Sequence, residues 1–324
     1  MNDANAGQKP LDSWVTPRFA QPASFMRAPF APDATGLDIA LVGVPFDMGS
    51  SNRAGTRHGP AQVREMSRLI RQVNGSTGVA PFKICRVADI GDAPVNPLDA
   101  KGSLAAIEAF FRDVHKKGAA PVSIGGDHTV PLPVLRAIGS KSRPFACVHF
   151  DAHSDTWDTL YGSKDNNATP FRRLIEEGLI RADRLVQIGI RGTLFAQDDL
   201  GWALDQGVRI ITMDEYESMG RQRAIEEIRS IVGDMPIYIT FDVDGLDPVH
   251  CPGTGAPEPG GLSMRDSQVI IRSLRDLDVV GGDVCEVSPP LDPAGHTAVN
   301  AANLAFEILC ATAEATQRRK ARRA

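Results

Sequence analysis

The stretch DIALVGVPF, Asp38 to Phe46, decides the architecture. It is a short apolar run punctuated by Gly43 and Pro45, without polar residues at every second position. A strand with one wet face alternates polar and apolar residues. An unbroken apolar run of this length therefore reads as a strand covered on both faces, as in a parallel sheet. A helix is expected next, over Gly59 to Val73, where Val63, Met66, Leu69 and Ile70 fall at helical spacing. Working outward, strand-like runs recur at Ile84–Ile90, Pro121–Ile124, Phe145–Phe150, Leu185–Ile190, Val208–Thr212, Ile237–Phe241 and Val279–Cys285. Helix-like stretches lie between most of them: Ser103–Lys117, Val130–Ala137, Phe171–Glu177, Gln197–Gln206, Glu215–Val232 and Met264–Asp276. A last one follows at Ala298–Glu314. Strand–helix alternation along the whole chain predicts an α/β domain with a mainly parallel sheet and helices on both faces. No linker or internal repeat divides it.

The ends read differently. Residues 1–36 are rich in Pro, Ala, Phe and polar residues, and are expected to form an arm on the surface or on a neighbouring subunit. Residues 317–324 carry the basic run RRKARRA, expected to be a solvated tail. The 324-residue chain has a net charge of −5 and a pI near 5.8, which gives no reason to expect a nucleic-acid or membrane partner. Its five cysteines form no CxxC pair, which fits a reducing compartment such as the cytoplasm rather than a disulfide framework. No signal-peptide pattern opens the chain, and no apolar run is long enough to span a bilayer.

In a parallel sheet the active site lies at the carboxyl ends of the strands. Three strand ends are loaded with ligand-type residues. GGDH supplies Asp127 and His128; DAHSD supplies Asp151, His153 and Asp155; DVDGLDP supplies Asp242, Asp244 and Asp247. A fourth strand ends in CEVSPP, with Glu286. A lone DxD is common in loops, and a Gly-Gly pair can be merely a tight turn. The three motifs together are far more specific. So many carboxylates at one sheet edge repel one another, and divalent cations would offset the repulsion. The set is carboxylate and imidazole without thiolate, which disfavours structural zinc and suits Mn, Ni, Co or Fe. It holds more ligands than one ion needs, so two ions are expected.

The strings GGDHTVPL, HFDAHSDT and FDVDGLDPVHCPGTGAPEPGG resemble the metal-binding motifs of the ureohydrolases, the arginase and agmatinase family. GVPFDMGSSNRAGTRHGP and GGDVCEVSPPLDP resemble that family too, especially its agmatinase and guanidinobutyrase branch. The resemblance runs from about Ile39 to Cys310 and implies one catalytic domain over residues 37–316. It implies a three-layer αβα sandwich on an eight-stranded, mainly parallel sheet, assembled as a trimer or hexamer. By position, His128, Asp151, Asp155 and Asp242 match the ligands of one metal, and Asp151, His153, Asp242 and Asp244 those of the other. Asp151 and Asp242 would bridge. Manganese is the family's usual metal and nickel occurs in some branches. Asp155 matches the residue that takes the proton of the metal-bound hydroxide, and Glu286 the carboxylate that pairs with the substrate guanidinium. The implied reaction cleaves a guanidino C–N bond of a small compound to an amine and urea.

Two positions depart from the family pattern. Relatives carry His-Gly-Thr-x-Phe where this chain reads NATPF, so Asn167 replaces a proposed proton-shuttle His. GTGAP replaces GTGTP, so Ala256 removes a hydroxyl close to the substrate. The departures leave three alternatives open: an N-alkyl guanidine or biguanide substrate such as metformin, a weakly active metal-binding subunit of a hetero-oligomer with a homologous second chain, or amidine hydrolysis as in formiminoglutamase. Arginine itself is not expected, because the arginases' amino-acid-binding loop pattern is not evident. Trp157 is a candidate for the pocket wall. His149 reads as a supporting histidine behind the metal ligands. His58, His115, His250, His296 and Cys251 carry no catalytic expectation, though His250 or His296 could line the substrate entrance.

Overall fold

Along each strand successive side chains point to opposite faces, and the buried residues of this chain sort accordingly into two cores. In β1 (Ile39–Val44), Ile39 and Leu41 enter one core while Ala40, Val42 and Val44 enter the other. The computed structural model describes residues 9–322. It contains β2 (Val87–Asp92), β3 (Ala120–Gly125), β4 (Phe145–Phe150), β5 (Ile180–Ile190), β6 (Arg209–Thr212), β7 (Ile237–Asp242) and β8 (Val279–Cys285). They form one eight-stranded sheet in the order β2-β1-β3-β8-β7-β4-β5-β6. Every neighbouring pair is parallel.

Helices cover both faces, as parallel crossovers require. The first core is closed by α1 (Gly59–Met66), α2 (Pro81–Ile84), α7 (Met213–Val232), α8 (Met264–Arg272) and α9 (His296–Ala321). The second is closed by α3 (Ala100–Lys116), α4 (Pro131–Ile138), α5 (Pro170–Glu176) and α6 (Gly201–Asp205). Caps explain several of the helix starts. Asp99, Thr212 and Ser263 each accept a backbone N–H of the first turn. The helix expected over Gly59–Val73 is an α-helix only to Met66; a 3-10 turn at Ser67–Leu69 follows, and Ile70 is extended.

The chain ends depart from expectation. The expected surface arm includes Phe25, Met26 and Ala28, which are buried in the first core. Buried Asp89 explains the anchoring. It accepts the Phe25 N–H at 3.0 Å and pairs with Arg64, whose guanidinium lies 4.1 Å over the Phe25 ring. Residues 1–8 of that arm lie outside the described residues. The expected basic tail instead extends α9. Arg318 donates to the carbonyls of Arg275 and Leu277, Arg319 reaches Asp278, and Lys320 reaches Asp38 at 2.7 Å. Residues 323 and 324 also lie outside the described residues.

The loops after β1, β3, β4, β7 and β8 meet at one edge. Their closeness needs glycine: a Cβ on Gly126, directly after β3, would sit 1.6 Å from the Phe46 carbonyl oxygen, and one on Gly245 would sit 2.8 Å from the Asp151 nitrogen.

Candidate metal and substrate site

His128 follows β3, Asp151 follows β4, and Asp242 ends β7, so three neighbouring strand ends deliver the first ligand group. The His128 Nδ1 lies 2.9 Å from Asp151 Oδ2, 2.9 Å from Asp155 Oδ2 and 3.5 Å from Asp242 Oδ2. A second group shares Asp151: His153 Nδ1 is 3.2 Å from Asp244 Oδ2 and 3.5 Å from Asp151 Oδ1. All six side chains named from the sequence as metal ligands thus converge on one site. Backbone donors fix the carboxylates. Asp151 Oδ1 accepts the His153 N–H, Asp242 Oδ1 accepts the Asp244 N–H, and Asp244 Oδ1 accepts the Ala152 N–H. Asp127, the other acidic residue of its motif, turns away and accepts N–H groups of Gly49 and Thr129. Asp247 likewise accepts from Val249, Gly260 and Gly261 and shapes its loop.

A buried polar row supports the ligands from beneath. Gln187, His149, Thr240 and Asp283 lie side by side in register across β5, β4, β7 and β8, all fully buried. Thr240 donates to Asp283 Oδ1 at 2.7 Å, so its oxygen is left to accept the Nε2–H of His128 at 2.9 Å. Tyr238 donates to the other oxygen of Asp283. This network assigns the His128 tautomer and turns the bare Nδ1 toward the carboxylates. Gln187 donates to His149 Nδ1, and His149 Nε2–H donates to Asp151 Oδ2 at 2.7 Å. Phe171 of α5 stacks on the His149 ring with centroids 4.0 Å apart. Of this row only His149 was singled out from sequence. The available signal was a polar residue inside each otherwise apolar strand: FACVHF, LVQIGI, IYITFD and VGGDVC.

The electrostatics of the site is set by the crowding of its carboxylates. Burial, and then repulsion by Asp151, raises the Asp155 carboxyl to about 7. Burial together with Asp244 and Asp151 raises Asp242 well above its ordinary range. Burial, then Asp151, also raises Asp244. Burial works against a proton on His128 and His153, yet their carboxylate neighbours raise both, His153 to about 12. Burial also disfavours charge on Asp151, but His149, His128 and His153 hold it well below the usual range. A lone pair on His128 Nδ1 facing three carboxylates is relieved only by a proton or a metal ion. The donor set of two imidazoles and four carboxylates, one carboxylate shared by both groups, fits divalent cations with O/N preference.

A cavity of about 390 Å³ opens above the ligands. His153, Asp155, Asp242 and Asp244 form its floor, and Glu286, Asn167, Ala256 and Trp157 line it, so each residue named from sequence as a substrate contact borders the same space. Trp157 packs edge-on against Phe195 at 5.2 Å. Glu286 accepts the His128 N–H at 2.9 Å and the Asn167 amide N–H at 3.3 Å. Burial, and then Asp127, raises its carboxyl to about 8. Asn167 Oδ1 is buried and makes no hydrogen bond. Asp155 and Glu286 both have positive φ, +54° and +65°, backbone strain that they share with Gln21, Met26, Arg27 and Tyr161. Arg191, overlooked in the sequence, pins the third motif by donating to the carbonyls of Asp244, Gly245, Leu246 and Glu258. His58, His115, His250, His296 and Cys251 do not line the cavity.

Known proteins with these features fall together. The family model described as the arginase family matches residues 37–311. Guanidinopropionase of Pseudomonas aeruginosa is 49% identical over 97% of this chain and 99% of its own length. The mitochondrial agmatinase of Gallus gallus is 44% identical, covering 89% of this chain and 84% of that protein. The solved structure of proclavaminate amidino hydrolase from Streptomyces clavuligerus superposes with a TM-score of 0.88 at 39% identity, over 93% of this chain and 100% of the other.

Proposed function

The chain belongs to the arginase family, in its agmatinase-like branch, and on that premise we propose that it hydrolyses a guanidino C–N bond of a small compound to an amine and urea through a two-metal centre. It is a hydrolase of the ureohydrolase class. The observation that carries the proposal is the double ligand group sharing Asp151, with the buried Glu286 carboxylate facing the same cavity.

His128, Asp151, Asp155 and Asp242 would hold one cation, and Asp151, His153, Asp242 and Asp244 the other. Manganese is the first candidate and nickel the second. Two divalent ions held there supply hydroxide near neutral pH for attack on the guanidino carbon. Glu286 binds the guanidinium. Its raised carboxyl ionises beside a cation, and the resulting charge-assisted hydrogen bonds fix the planar group over the floor of the site. Asn167 Oδ1, buried and unpartnered, accepts a further N–H of the same cation. Asp155, whose carboxylate lies beside the hydroxide's position in the first ligand group, would take up the proton released on attack and return it to the departing amine. An amide at 167 cannot shuttle protons, so Asp155 carries that step alone.

Ala256 and Trp157 favour a second substrate reading, an N-alkyl guanidine or biguanide, because both present apolar surface to the cavity. Asn167 favours the partner-subunit alternative, in which this chain has little activity of its own. Five free, buried cysteines support a cytoplasmic setting, and a trimer or hexamer is the assembly proposed. The test is a substrate panel with metal content measured in parallel. Agmatine, 4-guanidinobutyrate, 3-guanidinopropionate, dimethylguanidine and metformin are offered to the purified chain loaded with Mn or Ni. Urea or amine release is expected, and Glu286→Gln should reduce kcat/KM by about 100-fold while both ions stay bound. No turnover of any compound with both ions present would leave only the partner-subunit reading.

A further inference from the structure

The far wall of the cavity bears on the charge of the group beyond the guanidine. This rests on the hydrolase reading above and extends it to the substrate's tail. Among the described residues the only cationic side chain lining the cavity above its metal-ligand floor is Arg191, and its guanidinium is spent. Its Nε, Nη1 and Nη2 all donate to backbone carbonyls. Arg53, on the segment beside Asn52 of the cavity wall, turns its Nε and Nη2 onto the carbonyls of Gly255 and Thr254. The ionisable groups that do face the space above the floor are acidic. Glu258 packs its carboxylate over Gly192, where a Cβ would approach it to 2.5 Å, and Asp199 closes the same side, accepting the Phe195 N–H at 2.6 Å. The remaining rim joins the polar Ser51, Asn52 and Thr193 to an apolar stretch. Phe195 and Tyr161 are 87% and 88% exposed, and Leu194 is half exposed, so the mouth offers surface for an alkyl or aryl group to cover.

We propose that the enzyme takes guanidines with an uncharged or cationic tail and discriminates against guanidino acids, because a carboxylate tail would meet Glu258 and Asp199 while the N–H groups of Arg191 are already committed to backbone carbonyls. The guanidinium end is still held by Glu286. The discrimination arises entirely at the other end of the molecule, where like charges in a partly enclosed cavity repel. The substrate class therefore differs from the one printed in the name of the guanidinopropionase that this chain resembles.

The experiment compares three compounds of matched length on the metal-loaded full chain: propylguanidine, (3-aminopropyl)guanidine and 3-guanidinopropionate. Propylguanidine and its amino analogue should exceed the acid in kcat/KM by about tenfold or more, and the margin should shrink as salt is raised. Glu258→Lys should raise the ratio of acid to propylguanidine by about tenfold, and the milder Glu258→Gln by a smaller factor in the same direction. Calorimetric binding of the same three compounds gives the order without turnover. If none is hydrolysed, the order of affinities alone decides the tail rule, and the wider substrate panel decides the hydrolase reading. An acid that is hydrolysed or bound as well as propylguanidine, or a ratio unmoved in both Glu258 variants, overturns the proposal.

Discussion

Thr240 sets the chemistry of His128 without touching the cavity. Its hydroxyl has one proton, committed to Asp283, so it meets His128 as an acceptor and fixes the ring with Nδ1 bare. Thr240→Val keeps the shape and removes the acceptor. Metal affinity is then expected to fall by about 10- to 100-fold, read by equilibrium dialysis, and the metal-free chain to lose about 1–3 kcal/mol in urea unfolding, because buried Asp283 and His128 each lose a partner. An unchanged affinity would mean that the carboxylates alone orient the ring. The six candidate ligands and Glu286 could be picked out in the sequence because each stands in a motif at a strand end, and the structure brings them together at one cavity. Thr240, Asp283 and Gln187 could not, because an isolated polar residue in an apolar strand does not tell which strands will be its neighbours. Only the sheet order brings them into one row.

Where α1 meets β2 and the N-terminal segment, one ion pair joins three parts of the chain. Arg64 is held by Asp89, and Asp89 also receives the Phe25 N–H. Arg64→Ala would strand a fully buried carboxylate and remove the cation stacked on Phe25. The expected loss is about 3–5 kcal/mol in urea unfolding, because a charge is left without its partner. A loss below about 1 kcal/mol would mean that water reaches Asp89 when the arginine is gone. The strands were readable as elements because burial on both faces leaves unbroken apolar runs, and their positions agree with expectation to within a few residues. The ends were less so. The composition of residues 1–36 suggested an arm on the surface or on a neighbouring subunit, and the charge of 317–324 a solvated tail. Phe25 finds a specific acceptor in Asp89, and Arg318, Arg319 and Lys320 find carbonyls and carboxylates at the opposite edge of the sheet.

For the molecule as a whole, the proposed metal centre would link stability to pH. Without cations the folded chain holds a proton on Asp155 up to about 7 and on Glu286 up to about 8, against ordinary values of 3.8 and 4.5. His153, raised to about 12, adds to the same trend above its ordinary 6.5. Between the ordinary and the raised values the folded state binds more protons than the unfolded one, so stability falls as pH rises. Cations displace those protons and remove the penalty. The gap in melting temperature between metal-loaded and metal-free chain is therefore expected to widen from about pH 6.5 to 8 in scanning calorimetry. A constant gap would show that the site sheds its protons without metal. The sheet order also governs how the protein comes into being during synthesis. Strand β8 is the last to leave the ribosome, yet it lies between β3 and β7 and so joins β2, β1 and β3 to β7, β4, β5 and β6. Until it is inserted, the nascent chain consists of two separate half-sheets, with His128 on one and the aspartates on the other. The first ligand group therefore waits for β8, whereas the second, Asp151, His153, Asp242 and Asp244, comes wholly from the half-sheet of β4 and β7 and needs no such insertion.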